Sequence, residues 1–290
     1  METKITDAIT TAIKTGIKIS ANYDHIELTE EETNAAIYAA KKFKDAKIRE
    51  AEYRKKIFEK PVYKMMNRTE LDFFVREKYN VCDINDADRL AKFFDEGIEP
   101  YILDDDNRDE FNMLCAYFSG HDSFEFVPDE KGNMKPTGMS LKKGLLLFGP
   151  VGCGKTSLMR MFSINSFRPY SVIACKRIAN EYQENGANSV YTYSQMAPIA
   201  PHMNFGHTQE GKCFDDLGTE AIKKNFGNEM NVMQDIISDI YDNGLLGFFH
   251  LTTNLSSAEL DERYGYRVRS RLREMFNIVN FGKNAPDRRK

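Results

Sequence analysis

Apolar residues recur at helical spacing through the first hundred positions. Ile5, Ile9, Ile13 and Ile17 stand four apart and predict one stripe of a short amphipathic helix. Such a stripe packs on its own domain or docks on a partner protein. Thr29 followed by Glu32 forms a capping box, and from there a long charged helix is predicted to Lys60, stopped by Pro61. Two shorter helices follow, around Glu70–Tyr79 and Asn85–Phe94. The acidic stretch from Asp95 and Glu96 to Asp104, Asp105 and Asp106 reads as a linker or exposed surface. Residues 1–104 are therefore expected to form a small, mostly helical module without a catalytic signature.

The rhythm then changes. A helix is predicted from near Asn107, with Phe111, Leu114, Cys115 and Phe118 on one face, and Val127–Met139 is a polar loop. Leu145–Phe148 is a short apolar run of buried-strand character, followed by a helix over Ser157–Phe162. Further strands are expected at Tyr170–Cys175, Lys212–Asp216 and Leu245–Thr252. Helices are expected at Arg177–Glu184, within Met230–Tyr241 and over Ser257–Phe276, with an irregular segment up to Gly211. Strands alternating with helices predict an α/β domain over residues 105–290, with a parallel sheet covered by helices.

Composition narrows the function classes. The chain has 290 residues, 41% hydrophobic and 29% charged, with a net charge of −4, which excludes a globally basic nucleic-acid binder but not a local basic surface. Five scattered cysteines, without CxxC pairs or His partners at metal spacing, argue for reduced thiols and against a zinc site. No apolar run reaches transmembrane length and the Met1 end lacks a signal-peptide core, so the cytoplasm is the expected location.

The chemistry centres on Gly149, Pro150, Val151, Gly152, Cys153, Gly154, Lys155, Thr156 and Ser157, which fit G-x-x-x-x-G-K-[ST] between a predicted strand and a predicted helix. Glycines let the backbone N–H groups converge on phosphate oxygens, and the helix N-terminus adds positive potential. Lys155 would reach the β/γ-phosphates and the Thr156 hydroxyl would take a position on Mg²⁺. Downstream, Asp215 and Asp216 end a strand: Asp215 would enter the Mg²⁺ shell and Asp216 would polarise a water aimed at the γ-phosphate. Asn254 ends the next strand, where it touches the γ-phosphate or the attacking water, or else caps the helix at Ser256–Glu262. Arg263, Arg267 and Arg271 recur at i, i+4, i+8, with Arg269 and Arg273 on another face. Such a row pairs with acidic stretches of its own chain, presents an arginine to a neighbouring subunit's γ-phosphate, or binds nucleic acid.

Four ordered segments carry a family resemblance: Leu145–Thr156, Phe214–Glu220, Thr252–Leu255 and Tyr264–Leu272. Over roughly Asn107–Phe281 the chain resembles the AAA+ ATPase domain of bacterial DnaC/DnaI-type replicative helicase loaders, to which IstB-type transposition helper ATPases are related. The resemblance implies ATP and Mg²⁺ as ligands, Walker A at Gly149–Thr156, Walker B at Asp215 and Asp216, sensor 1 at Asn254, and box VII arginines at Arg267 and Arg271, with Arg271 as the trans finger. It further implies a helicase loader: residues 1–104 grip a replicative helicase while ATPase domains self-associate through their ATP sites around single-stranded DNA. Lys176, Arg177 and the Tyr191–Phe205 segment lie where such proteins contact the strand. A transposition helper, or a nucleotide-gated interaction protein with little hydrolysis, are the alternatives. Two departures stand out. The second Walker B carboxylate is Asp216 where many AAA+ proteins carry Glu, and only nine residues follow Phe281, too few for a helical lid.

Overall fold

The computed structural model describes residues 29–58, 65–200, 204–225, 228–282 and 285–289. The isoleucine stripe at residues 5–17 lies outside them. The chain divides into two compact units, residues 1–59 and 60–290. The described part of the first is one 29-residue helix, α1 (Glu30–Phe58). Its N-terminus carries the expected capping box: the Glu32 N–H donates to the Thr29 hydroxyl at 3.3 Å and the Thr29 N–H to the Glu32 carboxylate at 2.9 Å.

The second unit opens with α2 (Arg68–Lys78), β1 (Val81–Asp83), α3 (Ala87–Asp95), β2 (Tyr101–Leu103) and α4 (Arg108–Phe118). The boundary expected at 104 falls inside this unit. β1 and β2 pair in parallel, so the acidic stretch is not a linker. Leu71, Val75, Val81 and Leu103 are fully buried in one apolar cluster with Leu145, Leu147 and Leu158. The Arg108 guanidinium clamps both oxygens of Asp83 at 2.8 and 2.9 Å, fixing β1 to α4. That clamp holds the Asp83 carboxyl below the usual carboxylate range. The charged surface of this segment hides an apolar inner face, which the charge pattern alone does not show.

An antiparallel hairpin of β3 (Phe126–Pro128) and β4 (Met134–Pro136) occupies the predicted loop. The remaining elements are β5 (Gly144–Phe148), α5 (Lys155–Met161), β6 (Tyr170–Ala174), α6 (Cys175–Asn185), α7 (Ala187–Ser194), β7 (Ala197–Pro198) and β8 (Gln209–Leu217). After them come the hairpin strands β9 (Lys223–Asn225) and β10 (Asn228–Met230), then α8 (Val232–Asp242), β11 (Phe249–Thr253), α9 (Ser257–Met275) and β12 (Phe276–Asn280). The central sheet runs β12-β5-β11-β8-β6, all parallel, with β7 antiparallel on β8. The α/β class is as expected. Helix α7 and strand β12 go beyond the sequence reading, which left 185–211 irregular and ended at a helix.

Alternation along β5 explains the layering. Leu145 and Leu147 point into the cluster shared with α2, α4 and α5, while Leu146 points into the one built by α6, α8 and α9. A strand buried on both faces has no polar positions, hence the unbroken Leu-Leu-Leu-Phe run. Because every strand of the central five is parallel, their carboxyl ends gather at one edge, and there the functional groups collect.

His250 on β11 lies in the first cluster. It is fully buried, its ring 4.7 Å from that of Tyr170, and its Nδ1 accepts the Leu145 N–H at 3.1 Å. Burial, with a smaller push from Arg168, lowers its pKa from 6.5 to about 3. The unfolded chain therefore takes up this proton near pH 6.5 and the folded chain only near 3. Stability is complete above the unfolded value and is lost as pH falls toward the folded one, by up to ~1.4 kcal/mol per pH unit. Urea denaturation between pH 7.5 and 4.5 should show a shallower acid slope for His250→Asn than for wild type; equal slopes would remove the histidine from the acid response.

Candidate functional site

Where β5 ends, the chain turns through Gly149–Gly154 into α5. Gly152 and Gly154 hold φ of +84° and +102°, a left-handed backbone that glycine adopts without strain. Lys155 opens the helix and is buried, its ammonium donating to the Gly149 and Pro150 carbonyls at 2.8 Å each and to Asn254 Oδ1 at 2.7 Å. The loop lies between β5 and α5, where the motif was expected. These bonds tie the lysine to the loop backbone and order it.

β11 lies between β5 and β8 and brings the downstream residues to this loop. The pairing of β11 with β8 slips between Leu251 and Thr253, so that two steps on β11 match three on β8. The extra residue falls at Asp216, whose φ is +57°. In a regular strand Asp215 and Asp216 would face opposite sides of the sheet. The bulge re-aims the second carboxylate, so that both serve the same edge. Asp215 Oδ1 accepts the Thr156 hydroxyl at 2.8 Å, while Asp216 Oδ1 accepts the Asn254 amide at 3.3 Å.

Thr252, to which the sequence reading gave no role, holds the bulge. Fully buried, its hydroxyl donates to Asp215 Oδ1 at 2.6 Å and accepts the Asp216 N–H at 2.8 Å. Two hydrogen-bonded chains result: Thr156–Asp215–Thr252, and Lys155–Asn254–Asp216. The helix-cap alternative for Asn254 gives way to Ser256, whose hydroxyl accepts the Glu259 N–H at 3.3 Å in a capping box.

Of these residues Lys155, Thr156, Asp216 and Asn254 line a pocket of about 530 Å³ that also takes in Val151, Ser157, Glu99–Ile102 and Pro286–Arg289. Its volume is in the range of small-molecule sites. The donor set suits Mg²⁺: a carboxylate and a hydroxyl offer hard oxygen ligands, and Mg²⁺ takes the rest from phosphate and water. No cluster of three or more His, Cys, Asp or Glu suited to a metal occurs among the described residues. All five cysteines are free and buried.

The arginine row does not form one face. Gly265 interrupts α9 with φ +80° and ψ +159°, and the residues beyond it are re-aimed. Arg263, before the break, donates to the carbonyl of Glu220 and lies 3.5 Å from its buried carboxylate. After the break, Arg271 pairs with Asp242 at 3.1 Å and stacks 4.7 Å from the Tyr241 ring centre. Arg269 reaches Asp261 at 3.5 Å. Arg267 is exposed and has no ion-pair partner among the described residues. Of the single-strand candidates, Lys176 and Arg177 are exposed, the latter paired with Glu181 at 2.8 Å. Tyr191 is exposed, whereas Tyr193 is buried against Glu181 and Phe205 packs edge-on to Phe74.

No family model and no curated protein matches the chain. Solved structures similar to it include the crystal structure of the DnaC helicase loader, at 20% identity over 49% of this chain and 79% of that one, with a TM-score of 0.35. AMPPCP-bound DnaA from Aquifex aeolicus is similar at 16% identity over 64% of this chain and 50% of that one, with a TM-score of 0.40. A DNA replication initiation factor is similar at 14% identity over 62% and 47%, with a TM-score of 0.39. The chain spans about half the length of the latter two.

Thr252→Val keeps the side-chain shape but leaves the buried Asp216 N–H unpaired and removes a donor from Asp215. It should destabilise the fold by about 1–3 kcal/mol in chemical denaturation, with Thr252→Ser close to wild type. Equal stability of the Val variant would show that the bulge is held by something other than this hydroxyl.

Proposed function

We propose that this chain is an AAA+ ATPase that loads a hexameric replicative helicase onto single-stranded DNA. The observation that carries the ATPase reading is the meeting of the two hydrogen-bonded chains at the phosphate loop: Lys155, Thr156, Asp216 and Asn254 line one pocket, and Asp215 accepts the Thr156 hydroxyl behind it. In this reading the loop amides and Lys155 bind the polyphosphate of ATP. Thr156 and Asp215 would hold Mg²⁺, which would supply positive charge beside the phosphates. Asp216 accepts a proton from the attacking water, and Asn254 fixes the distance between that carboxylate and Lys155.

The loader assignment rests on the four ordered motifs in the sequence, and the grip of residues 1–104 on the helicase is part of it. The packing of residues 65–103 into the ATPase core narrows the adaptor to the segment ending at α1. Single-stranded DNA would meet Lys176 and Tyr191, exposed cation and ring being the pair that such strands favour. Between the two box VII arginines, Arg267 is the better trans finger, since Arg271 is already held by Asp242 and Tyr241. No transmembrane-length apolar helix occurs among the described residues, and the proposed site of action is the cytoplasm.

Lys155→Ala should weaken ATP binding by about 100-fold or more in calorimetric titration, as expected for loss of a charge-assisted contact. Asp216→Asn should bind Mg·ATP and lose turnover. An undiminished rate in the latter would move the water-activating role elsewhere.

Turnover per chain should rise with protein concentration, because the finger comes from a neighbour. Arg267→Ala should lower it on the order of 10³-fold or more while leaving ATP binding intact. Mixing that variant with Lys155→Ala should restore part of the rate, since mixed interfaces pair an intact pocket with an intact finger. Concentration-independent turnover without rescue would assign the arginine a structural role. Affinity capture from the native host distinguishes the loader from the transposition helper: a co-purifying transposase in place of a helicase would overturn the loader assignment.

A further inference from the structure

Beyond β12 the chain turns back across the phosphate loop. The Phe281 N–H donates to the Phe148 carbonyl at 2.8 Å, at the root of the loop, and the Arg288 N–H donates to the Gly152 carbonyl at 3.0 Å, at its crest. The approach is close: a Cβ on Gly152 would lie 1.9 Å from Asp287 Oδ1. Gly152 therefore satisfies two demands, a left-handed backbone and room for this crossing segment. The far end is anchored on a different part of the unit. Both terminal nitrogens of Arg288 reach both oxygens of Asp104, at 2.7 and 2.8 Å, with the two side chains only 20% and 25% exposed. Asp104 is itself fixed, since its Oδ1 also accepts the Asp106 N–H at 3.0 Å.

Residues 286–289 thus line the pocket together with Glu99–Ile102, while Lys155, Thr156, Asp216 and Asn254 line the rest. The phosphate-directed groups all belong to that second set. What the first set offers is a tyrosine, an isoleucine and a proline beside a strap closed by a bidentate ion pair, the surroundings that suit the base and ribose. We propose that residues 286–289, latched by Arg288 to Asp104, form the nucleoside wall of the pocket, and that the latch sets how long a nucleoside di- or triphosphate stays bound. This rests on the reading of the pocket as a nucleotide site. The strap contacts the loop backbone and the nucleoside side at once, so a departing nucleotide has to displace it. A bidentate, partly buried pair is a stronger tie than an exposed one.

The test is stopped-flow release of mant-ADP from the full chain. Arg288→Ala should accelerate release about five- to tenfold, tenfold being ~1.4 kcal/mol. Asp104→Asn, which keeps an acceptor for the Asp106 N–H, should accelerate it similarly, and Arg288→Lys should fall between wild type and Ala. The Arg288→Ala, Asp104→Asn double variant should be no faster than either single one, because both remove the same latch. Unchanged release in Arg288→Ala, or single effects that multiply in the double variant, would overturn the latch. Lys155→Ala separates this outcome from failure of the site: if wild type retains mant-ADP and Lys155→Ala does not, the nucleotide site stands whatever the latch variants do. Failure of wild type to retain mant-ADP at all would overturn the site and the latch together.

Discussion

One buried hydroxyl holds Asp215 and Asp216 in place near the end of β8. Thr252 donates to Asp215 and accepts from the Asp216 backbone, and it makes both bonds from the middle of a strand flanked on both sides by others. A parallel ladder would normally satisfy the Asp216 N–H through a neighbouring carbonyl. By substituting a side-chain acceptor, Thr252 lets β8 gain a residue without leaving a buried donor unpaired, which would otherwise cost about 1–3 kcal/mol. The left-handed Asp216 backbone is tolerable on the same ground, since Asp is among the residues that reach this region most readily. The bulge, the carboxylate pair and the placement of Asn254 are all consequences of β11 lying between the loop strand and the carboxylate strand.

The loop is held on three sides by groups that do not belong to its motif. Asn254 holds Lys155 from β11, Asp215 holds Thr156 from β8, and Arg288 holds the Gly152 carbonyl from the strap. Only the last tie reaches, through Asp104, into the segment of residues 65–104. That segment is therefore coupled to the loop by one ion pair as well as by its apolar packing against α4 and α5.

The loop, both carboxylates and Asn254 were legible because each is a local pattern with a mechanism attached to its spacing. What was not legible depends on distant partners. Nothing near Thr252 reveals that its hydroxyl meets Asp215, 37 residues away. The acidic run at 95–106 has its apolar partners in β1 and α4, and no periodicity within the run itself reveals that packing. β12 alternates buried and exposed positions poorly, with Phe276, Asn277 and Val279 buried together, so it does not announce itself as a strand. Asn277 is buried because its amide serves the Ser140 carbonyl at 2.8 Å and that of Gly144 at 3.0 Å, a role invisible in sequence. The arginine periodicity misled for a definite reason: a helical count assumes one helix, and Gly265 sits inside the count.

That glycine also determines which arginines are spent and which are free. Before the break, Arg263 and Tyr264 are both committed to Glu220, whose second oxygen accepts the Gly218 N–H at 2.8 Å. Burial, followed by the Glu220 charge, pushes the Tyr264 hydroxyl well above its ordinary pKa, so it stays a donor. A buried carboxylate with an amide, a guanidinium and a phenol around it is fully satisfied, and removing any one partner leaves it short. The turn after Asp216 and the first half of α9 therefore behave as one body. Past Gly265 the constraint is different: Val268 and Leu272 keep the second half on the apolar cluster, and Arg271 is drawn to Asp242. Arg267 falls in the first turn after the break and is exposed, next to the buried Val268. It is left exposed by geometry and not by any lack of carboxylates, since the net charge is −4 and acidic residues outnumber basic ones. A guanidinium that is exposed and without an ion-pair partner among the described residues is available to a negative group from outside the chain.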